Sequence, residues 1–169
     1  MVIWILGLSG AGKSFYSLKL KEELKNEFGE FIILDGDVIR KIFDNDLGFS
    51  MNERNINASR ISNLASFLNK NRVNVIVSVL SLFPYWLDWN RKNIKEYYEI
   101  FIDVPISILK KRNNKNIYFK DGKKKQNVVG IDIDFKKPEN SDLKITNNFD
   151  RNSLKDNLNL IKNLIKKNA

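Results

Sequence analysis

The sequence predicts an α/β protein in which a five-stranded parallel sheet lies between two layers of helices, as a three-layer α/β/α sandwich. Short apolar segments alternate with helically spaced segments along its 169 residues, and this alternation favours parallel strands joined by helices. Residues 73–80 are rich in β-branched side chains and nearly continuous in apolar character, as in a strand covered on both faces. The length favours a single domain that spans residues 1–169.

The first unit of this pattern joins a predicted strand over residues 2–6 to a predicted helix over residues 17–28 through GLSGAGKS at residues 7–14. A strand, a glycine-rich loop, Lys-Ser and a helix in this order are typical of a P-loop, whose backbone N–H groups surround phosphate oxygens. Lys13 can reach the β- and γ-phosphates, while the Ser14 hydroxyl can ligate Mg²⁺. The predicted triphosphate-binding residues are Gly7, Ser9, Gly10, Ala11, Gly12, Lys13, Ser14 and Phe15.

The other elements follow from apolar spacing and from the prolines at 84 and 105, which favour helix starts. Helices are predicted over residues 38–43, 51–71, 84–97, 106–112 and 153–167, and strands over 31–34, 73–80, 98–104 and 143–146. From residue 113 to residue 138 the pattern breaks down into a polar, lysine-rich segment. A stretch of this length with little structure of its own is usually functional, and we interpret it as a mobile lid over the nucleotide site.

An acidic pair, Asp35 and Asp37, follows the second predicted strand. Ligands of parallel sheets bind at the carboxyl ends of the strands, so this pair is expected beside the P-loop. The chain has neither histidine nor cysteine, so a proton acceptor must be a carboxylate, a lysine or the substrate itself. One carboxylate is expected to hold Mg²⁺ with Ser14, and one to orient or deprotonate an acceptor hydroxyl. With Lys13, these are the predicted catalytic residues, and which Asp has which role stays open.

A set of polar side chains lies in and before the long helix. Arg54, Asn57 and Arg60 share one helical face, which either binds an anionic acceptor together with Arg40 or is simply solvated. Taken alone, Phe49 in its glycine-containing loop favours core packing over stacking on a base.

The formal net charge of +9 raises the alternative of a nucleic-acid-binding protein, but the lysines are scattered and no binding module accompanies them.

A GTPase switch is disfavoured, because Asn114-Lys115 is not followed by the aspartate of the base-reading motif. No apolar run is long enough to span a bilayer and no signal peptide precedes the P-loop, so we expect a cytoplasmic enzyme. A non-catalytic P-loop nucleotide-binding module is the remaining alternative.

These motifs together resemble the adenylylsulfate kinase family of P-loop kinases over about residues 2–147. The resemblance includes Leu34-Asp35-Gly36-Asp37 with Arg40, and Asp46-Leu47-Gly48-Phe49-Ser50 followed by Arg54, Asn57 and Arg60. It resumes at Phe101-Ile102-Asp103-Val104-Pro105, Arg112, Gly130-Ile131-Asp132 and Pro138-Glu139-Asn140. The middle motif, around Phe49, is more specific to the family than the P-loop is.

The resemblance implies a kinase that uses MgATP to phosphorylate the ribose 3′-hydroxyl of a nucleotide acceptor, and family members are often homodimers. It implies that Arg112 and the lid cover ATP, and that Phe49 stacks on the acceptor base. The acceptor-binding positions that it implies are Asp37, Arg40, Phe49, Arg54, Asn57, Arg60, Ser81, Phe83, Val128, Val129, Gly130 and Ile131.

The sequence departs from the family pattern on the acceptor side. Val128 and Val129 stand where the family carries Phe-Thr, and that Phe forms one side of the base clamp. After the third strand the chain reads Leu80-Ser81-Leu82-Phe83-Pro84 in place of Ile-Ser-Pro. Because a valine offers no aromatic face, we expect an acceptor other than adenylylsulfate. A divergent branch that the chain also resembles phosphorylates cytidine diphosphoramidate in capsule-forming bacteria, and adenylylsulfate is the alternative acceptor.

Overall fold

The computed structural model describes residues 1–113, 116, 118–120, 123–124 and 127–168. Within these ranges the helices are α1 (Lys13–Phe28), α2 (Gly36–Ile42), α3 (Met51–Lys70), α4 (Pro84–Asn93), α5 (Ile106–Arg112) and α6 (Arg151–Asn168). The strands are β1 (Val2–Leu6), β2 (Phe31–Asp35), β3 (Asn74–Val79), β4 (Tyr97–Asp103), β5 (Phe119–Lys120), β6 (Lys123–Lys124) and β7 (Leu143–Thr146). Among the described residues, no helix is long and apolar enough to cross a membrane.

The main sheet has five strands in the order β2-β3-β1-β4-β7, and all its pairs are parallel. The predicted five-stranded parallel sheet is therefore confirmed. Because β1 lies at the centre, the P-loop that follows it leaves the middle of the sheet. The carboxyl ends of β3 and β2 lie on one side of this loop, and that of β4 lies on the other. The strand order thus brings the acidic pair after β2 to the edge where the P-loop lies.

Each face of the sheet carries its own hydrophobic core. Ile3, Ile5 and Ile100 pack with apolar residues of α1 and α6, including Leu24 and Ile161. The alternate residues of the same strands face the other way and pack with α3 in a second cluster, which includes Val2, Trp4, Val77, Ile61 and Ala65. This alternation follows from the two-residue period of a strand, and it produces the predicted three layers.

Two helix boundaries differ from the sequence prediction by four residues, and the others by two or fewer. Helix α1 begins at Lys13 and not at Ser17, because Gly12 has a left-handed backbone and the Lys-Ser of the P-loop forms the first turn. The predicted extension of α4 to Tyr97 is wrong. The helix ends at Asn93, since Ile94 is extended and Glu96 adopts a positive φ of 51°.

The predicted lid, residues 113–138, is described in part. Its residues 114, 115, 117, 121, 122, 125 and 126 lie outside the described ranges, and two of its lysines, at positions 115 and 125, are among them. Strands β5 and β6 form a small antiparallel pair. Further along, Val128 and Val129 are buried against the first core, and the carbonyl of Val128 accepts a hydrogen bond from the backbone N–H of Asp132 at 2.9 Å. The C-terminal part of the segment therefore packs firmly onto the sheet.

Candidate active site

A cleft of about 710 Å³ lies at the carboxyl ends of β1, β2 and β3. Most of the predicted site residues line it: Ser9, Gly10, Gly12, Lys13, Ser14, Phe15, Asp35, Asp37, Arg40, Phe49, Arg54, Asn57, Ser81, Phe83, Val128 and Val129. Residues from four separate parts of the chain therefore meet around one space. Its size suits a ligand as large as a nucleotide.

The P-loop end of the cleft is shaped by two glycines and a lysine. A Cβ at Gly7 would lie 2.6 Å from the carbonyl oxygen of Ile102, and one at Gly12 would lie 2.6 Å from Nδ2 of Asn147. Larger side chains at either position would push the loop off its neighbours. The Lys13 ammonium donates hydrogen bonds to the carbonyls of Gly7 at 2.9 Å and Leu8 at 3.0 Å. The cation is thus held within the loop, where it can turn to phosphate oxygens.

Ser14 and the acidic pair meet beside this loop. The Ser14 hydroxyl donates to Oδ2 of Asp35 at 3.1 Å, and the backbone N–H of Asp37 donates to Oδ1 of Asp35 at 3.0 Å, which caps α2. The Asp37 side chain is exposed, and its carboxylate makes no hydrogen bond to the described residues. The structure therefore gives the two carboxylates different surroundings, one tied to Ser14 and one open to the cleft.

The hydroxyl of Ser14 and the carboxylate of Asp35 fit Mg²⁺. Both are hard oxygen donors, and Mg²⁺ in phosphoryl-transfer sites usually takes one or two protein oxygens and completes its shell with phosphates and water. No group of three or more acidic, histidine or cysteine side chains able to hold a metal occurs in the described part of the chain. These residues therefore do not form a site in which protein groups alone surround the metal ion.

Two arginines and Phe49 occupy the other end of the cleft. Arg40 is buried and donates to the carbonyl of Gly48 at 2.8 Å, while Nε of Arg54 donates to the carbonyl of Phe49 at 2.8 Å. Their guanidinium carbons lie 4.9 and 5.3 Å from the centroid of the Phe49 ring. Because Phe49 is 54% exposed, the expectation of core packing for this residue is wrong.

The two guanidinium groups have an electrostatic reason to bind an anion. Burial lowers the pKa of Arg40, and burial together with the nearby charge of Arg40 lowers the pKa of Arg54. Two positive charges that have lost part of their hydration, and that repel each other, are stabilised by a negatively charged ligand between them. This end of the cleft therefore favours an anionic ligand.

Asn57 adds an unmet hydrogen-bonding group to this end. It is 5% exposed and lines the cleft, and its Oδ1 accepts no hydrogen bond from the described residues. Buried polar atoms without partners are rare in folded proteins, so this oxygen calls for a donor from a ligand or a water molecule.

The loop that carries Phe49 is fixed by the start of α3. Ser50 and Glu53 form a reciprocal capping box, and Oε1 of Glu53 also accepts from the backbone N–H of Gly48 at 2.8 Å. Hydrogen bonds from the Ser50 side chain and from the N–H of Gly48 hold the pKa of Glu53 below its ordinary value. The capping glutamate therefore connects the helix to the loop that presents Phe49.

Some predicted site residues do not reach this cleft. Arg60 forms a two-pronged ion pair with Asp46 at 3.0 and 2.8 Å and lies over the ring of Phe43, so only two residues of the predicted helix face, Arg54 and Asn57, line the cleft. Gly130 and Ile131 line a separate cavity of about 450 Å³ beside β4.

Three predicted ATP-binding residues also lie outside the lining. Gly7 and Ala11 contribute backbone carbonyls that hold Lys13 and Asn147. The guanidinium carbon of Arg112 lies 3.7 Å from the centroid of the Phe149 ring, next to the β7–α6 connection.

The structure also brings in residues that sequence reasoning missed. Asn147 donates to the carbonyl of Ala11 at 2.8 Å, and the Tyr118 hydroxyl donates to the carbonyl of Ser9 at 2.8 Å. Burial raises the pKa of Tyr118 to about 12, so it remains a donor. Trp4 donates to the Ser81 hydroxyl at 2.9 Å. These contacts join segments far apart in sequence, and no local pattern signals them.

Trp86 is a further cleft residue that was not predicted, although its position in the sequence, soon after β3, could have indicated it. It lines the cleft, although it is not among the predicted site residues. It lies at the start of α4, which only residues 80–83 separate from the end of β3, and the carboxyl ends of parallel strands are where ligands bind.

A P-loop with its Lys-Ser, a neighbouring acidic pair and an anion-binding cleft define a phosphotransferase of the P-loop class. The family model described as adenylylsulphate kinase matches residues 1–146, and the chain belongs to this family. Its members use ATP with Mg²⁺ and a nucleotide acceptor. The protein is therefore a kinase.

Three proteins illustrate what this chain is similar to over most of its length. A cytidine diphosphoramidate kinase of Campylobacter jejuni subsp. jejuni serotype O:2 is 41% identical over 161 residues, which cover 95% of this chain and 93% of that protein. An adenylyl-sulfate kinase of Deinococcus deserti is 34% identical over 158 residues, covering 93% and 86%. The solved APS kinase CysC of Mycobacterium tuberculosis, in complex with AMPPNP and APS, has a TM-score of 0.85 at 28% identity and covers 98% of this chain and 96% of that one.

Proposed function

We propose that this kinase transfers the γ-phosphoryl group of MgATP to the ribose 3′-hydroxyl of cytidine diphosphoramidate. The observation that carries the acceptor is the 41% identity, over nearly the full length of both chains, to a protein named for that substrate. Adenylylsulfate is the second candidate, because the adenylyl-sulfate kinase of Deinococcus deserti is 34% identical over a similar range.

The acceptor wall supports the first candidate. Val128 borders the cleft and is 7% exposed. At this position the resemblance to adenylylsulfate kinases leads one to expect a phenylalanine. An aliphatic side chain there removes one stacking surface for a purine, so the acceptor site differs from that of an adenylylsulfate kinase.

Each group in the cleft has a defined task in this proposal. Lys13 and the loop N–H groups bind the donor phosphates, and Ser14 with Asp35 would hold Mg²⁺, which neutralises developing phosphate charge when it is bound. Asp37 accepts a hydrogen bond from the acceptor hydroxyl and takes its proton as the phosphoryl group arrives in line. Arg40 and Arg54 hold the anionic part of the acceptor.

The test is an assay of acceptor-dependent ADP release with MgATP and cytidine diphosphoramidate, followed by mass spectrometry and ³¹P NMR of the product. The proposal predicts one added phosphate on the 3′-oxygen and no transfer to a 3′-deoxy analogue. A non-catalytic nucleotide-binding module would release no ADP in response to any acceptor, and that result would overturn the proposal.

Two further expectations accompany this function. We expect a homodimer, which light scattering coupled to gel filtration would detect, whereas a monomeric mass would contradict it. We also expect the enzyme to act in the cytoplasm, where MgATP is available, and fractionation of cells that express it would test this.

A further inference from the structure

We propose that Trp86 is an acceptor-binding residue and supplies an aromatic surface for the acceptor base, in addition to Phe49. This inference rests on the proposed function, because it concerns the acceptor site of that reaction. Trp86 lies in the first turn of α4, is partly buried and borders the cleft that Phe49 also lines.

The indole ring is held in one orientation by its neighbours. Its Nε1 donates a hydrogen bond to Oδ1 of Asn55 at 2.9 Å. Its centroid lies 5.1 Å from that of Tyr85 and 5.8 Å from that of Trp89, with steep interplanar angles of 78° and 65°. A ring fixed by one hydrogen bond and two aromatic contacts loses little entropy when a ligand stacks on it.

The hydrogen bond to Asn55 also assigns Trp86 to one end of the cleft. Asn55 directly follows Arg54 and precedes Asn57 by two positions on α3, and both of those residues line the cleft. Trp86 is therefore joined to the helix that presents the anion-binding and unpaired amide groups. The P-loop, which binds the donor phosphates, lies at the other end.

The chemistry of this wall explains why a tryptophan there matters. The cleft has an aliphatic side chain at Val128, so a base that stacks on Phe49 receives no aromatic contact from that position. Tryptophan offers the largest aromatic face among the side chains and stacks well on nucleobases. Trp86 thus compensates for the missing ring and helps to select the acceptor base.

Three variants test this inference. Trp86→Ala removes the surface, and Trp86→Phe keeps an aromatic ring. Trp89→Phe is the matched control, because Trp89 does not line the cleft and a phenylalanine there keeps an aromatic contact with Trp86. We expect Trp86→Ala to raise the KM of the acceptor about tenfold or more, and to leave the KM of ATP nearly unchanged. Trp86→Phe should recover most of the loss, and Trp89→Phe should resemble the wild type.

Fluorescence provides a readout that does not depend on turnover. Cytidine 5′-diphosphate should quench the emission of the wild type and of Trp89→Phe on binding, and most of this quenching should be lost in Trp86→Phe. Trp4 also borders the cleft but is only 2% exposed, so it should contribute little to the quenching. Quenching of undiminished size in Trp86→Phe, or an unchanged acceptor KM in folded Trp86→Ala, would overturn the assignment. If the wild type turned over no acceptor, the proposed function would fall, while the quenching titration would still decide whether Trp86 binds the base.

Discussion

At the scale of single residues, the site separates two carboxylates that the sequence could not tell apart. Both oxygens of Asp35 accept hydrogen bonds, from the Ser14 hydroxyl and from the backbone N–H of Asp37. The carboxylate of Asp37 faces the cleft from an exposed position. A carboxylate held beside the Ser14 hydroxyl is placed to bind a metal ion together with it, and a carboxylate open to the cleft is placed to accept a proton. We therefore propose that Asp35 helps to hold Mg²⁺ and that Asp37 is the proton acceptor.

Asp37→Asn should lower kcat by roughly 100-fold or more, because an amide cannot take the proton of the acceptor hydroxyl. The KM of ATP should change little, since no hydrogen bond joins Asp37 to the P-loop among the described residues. Steady-state kinetics with both substrates varied will measure this. Asp44→Asn is the control, as Asp44 is exposed and outside the cleft lining, and it should behave as the wild type. Turnover of Asp37→Asn close to normal would refute the role.

At the scale of secondary-structure elements, the start of α3 determines how Phe49 is presented. Glu53 accepts hydrogen bonds from the N–H of Gly48 and from Ser50, and these bonds are strongest when the carboxylate is charged. Its pKa is lowered in the folded protein from the ordinary value of 4.5. A group with a lowered folded pKa contributes stability above its unfolded pKa, and this contribution is lost as the pH falls through the folded value.

Glu53→Gln should therefore melt at a lower temperature than the wild type at pH 7, because the amide accepts these bonds more weakly. The difference in Tm should begin to shrink as the pH falls below the ordinary value of about 4.5, and it should vanish once the pH has passed the lowered pKa of the folded carboxylate. Thermal unfolding from pH 8 down to about pH 3 will show this, with exposed Glu30→Gln as the control. A Tm difference that is independent of pH would contradict the role of the charge.

A second element-scale contact ties the P-loop to the end of β7. The side-chain amide of Asn147 donates to the carbonyl of Ala11, and its Oδ1 accepts from the backbone N–H of Phe149 at 3.0 Å. This one side chain therefore links the phosphate-binding loop to the segment that carries the partner ring of Arg112.

Asn147→Ala should raise the KM of ATP about fivefold, the effect of losing one neutral hydrogen bond that orders the loop. The KM of the acceptor should change less, because Asn147 does not line the cleft. Exposed Asn148→Ala is the adjacent control. If Asn147→Ala bound ATP as tightly as the wild type, the P-loop would not depend on this contact.

At the scale of the whole molecule, the architecture could be predicted from the sequence. The alternation of strands and helices, the P-loop motif and the helical spacing all indicated the same fold. Alternating strands and helices predicted the sheet, and GLSGAGKS marked the edge at which its ligand binds. Local spacing also predicted that Arg54 and Asn57 share a helix face, and both line the cleft. These features depend on residues close together in the chain, and their physics is local.

The features that escaped prediction depend on contacts between distant segments. Arg60 shares the predicted face by spacing, but the ion pair with Asp46 draws it away from the cleft. Trp86 was not assigned to the site, because the packing of α4 against α3 places it there and no periodicity encodes that packing. Sequence spacing indicates which side chains share an element, whereas tertiary packing decides which of them reach the ligand.

The central claim is that this cleft accepts cytidine diphosphoramidate in preference to adenylylsulfate. An internal competition, with both acceptors at equal concentration and limiting MgATP, measures the ratio of their kcat/KM values directly by mass spectrometry of the two 3′-phosphorylated products. We expect a ratio of about ten or more in favour of the cytidine acceptor, a difference of about 1.4 kcal/mol in transition-state binding. A ratio in favour of adenylylsulfate would contradict it.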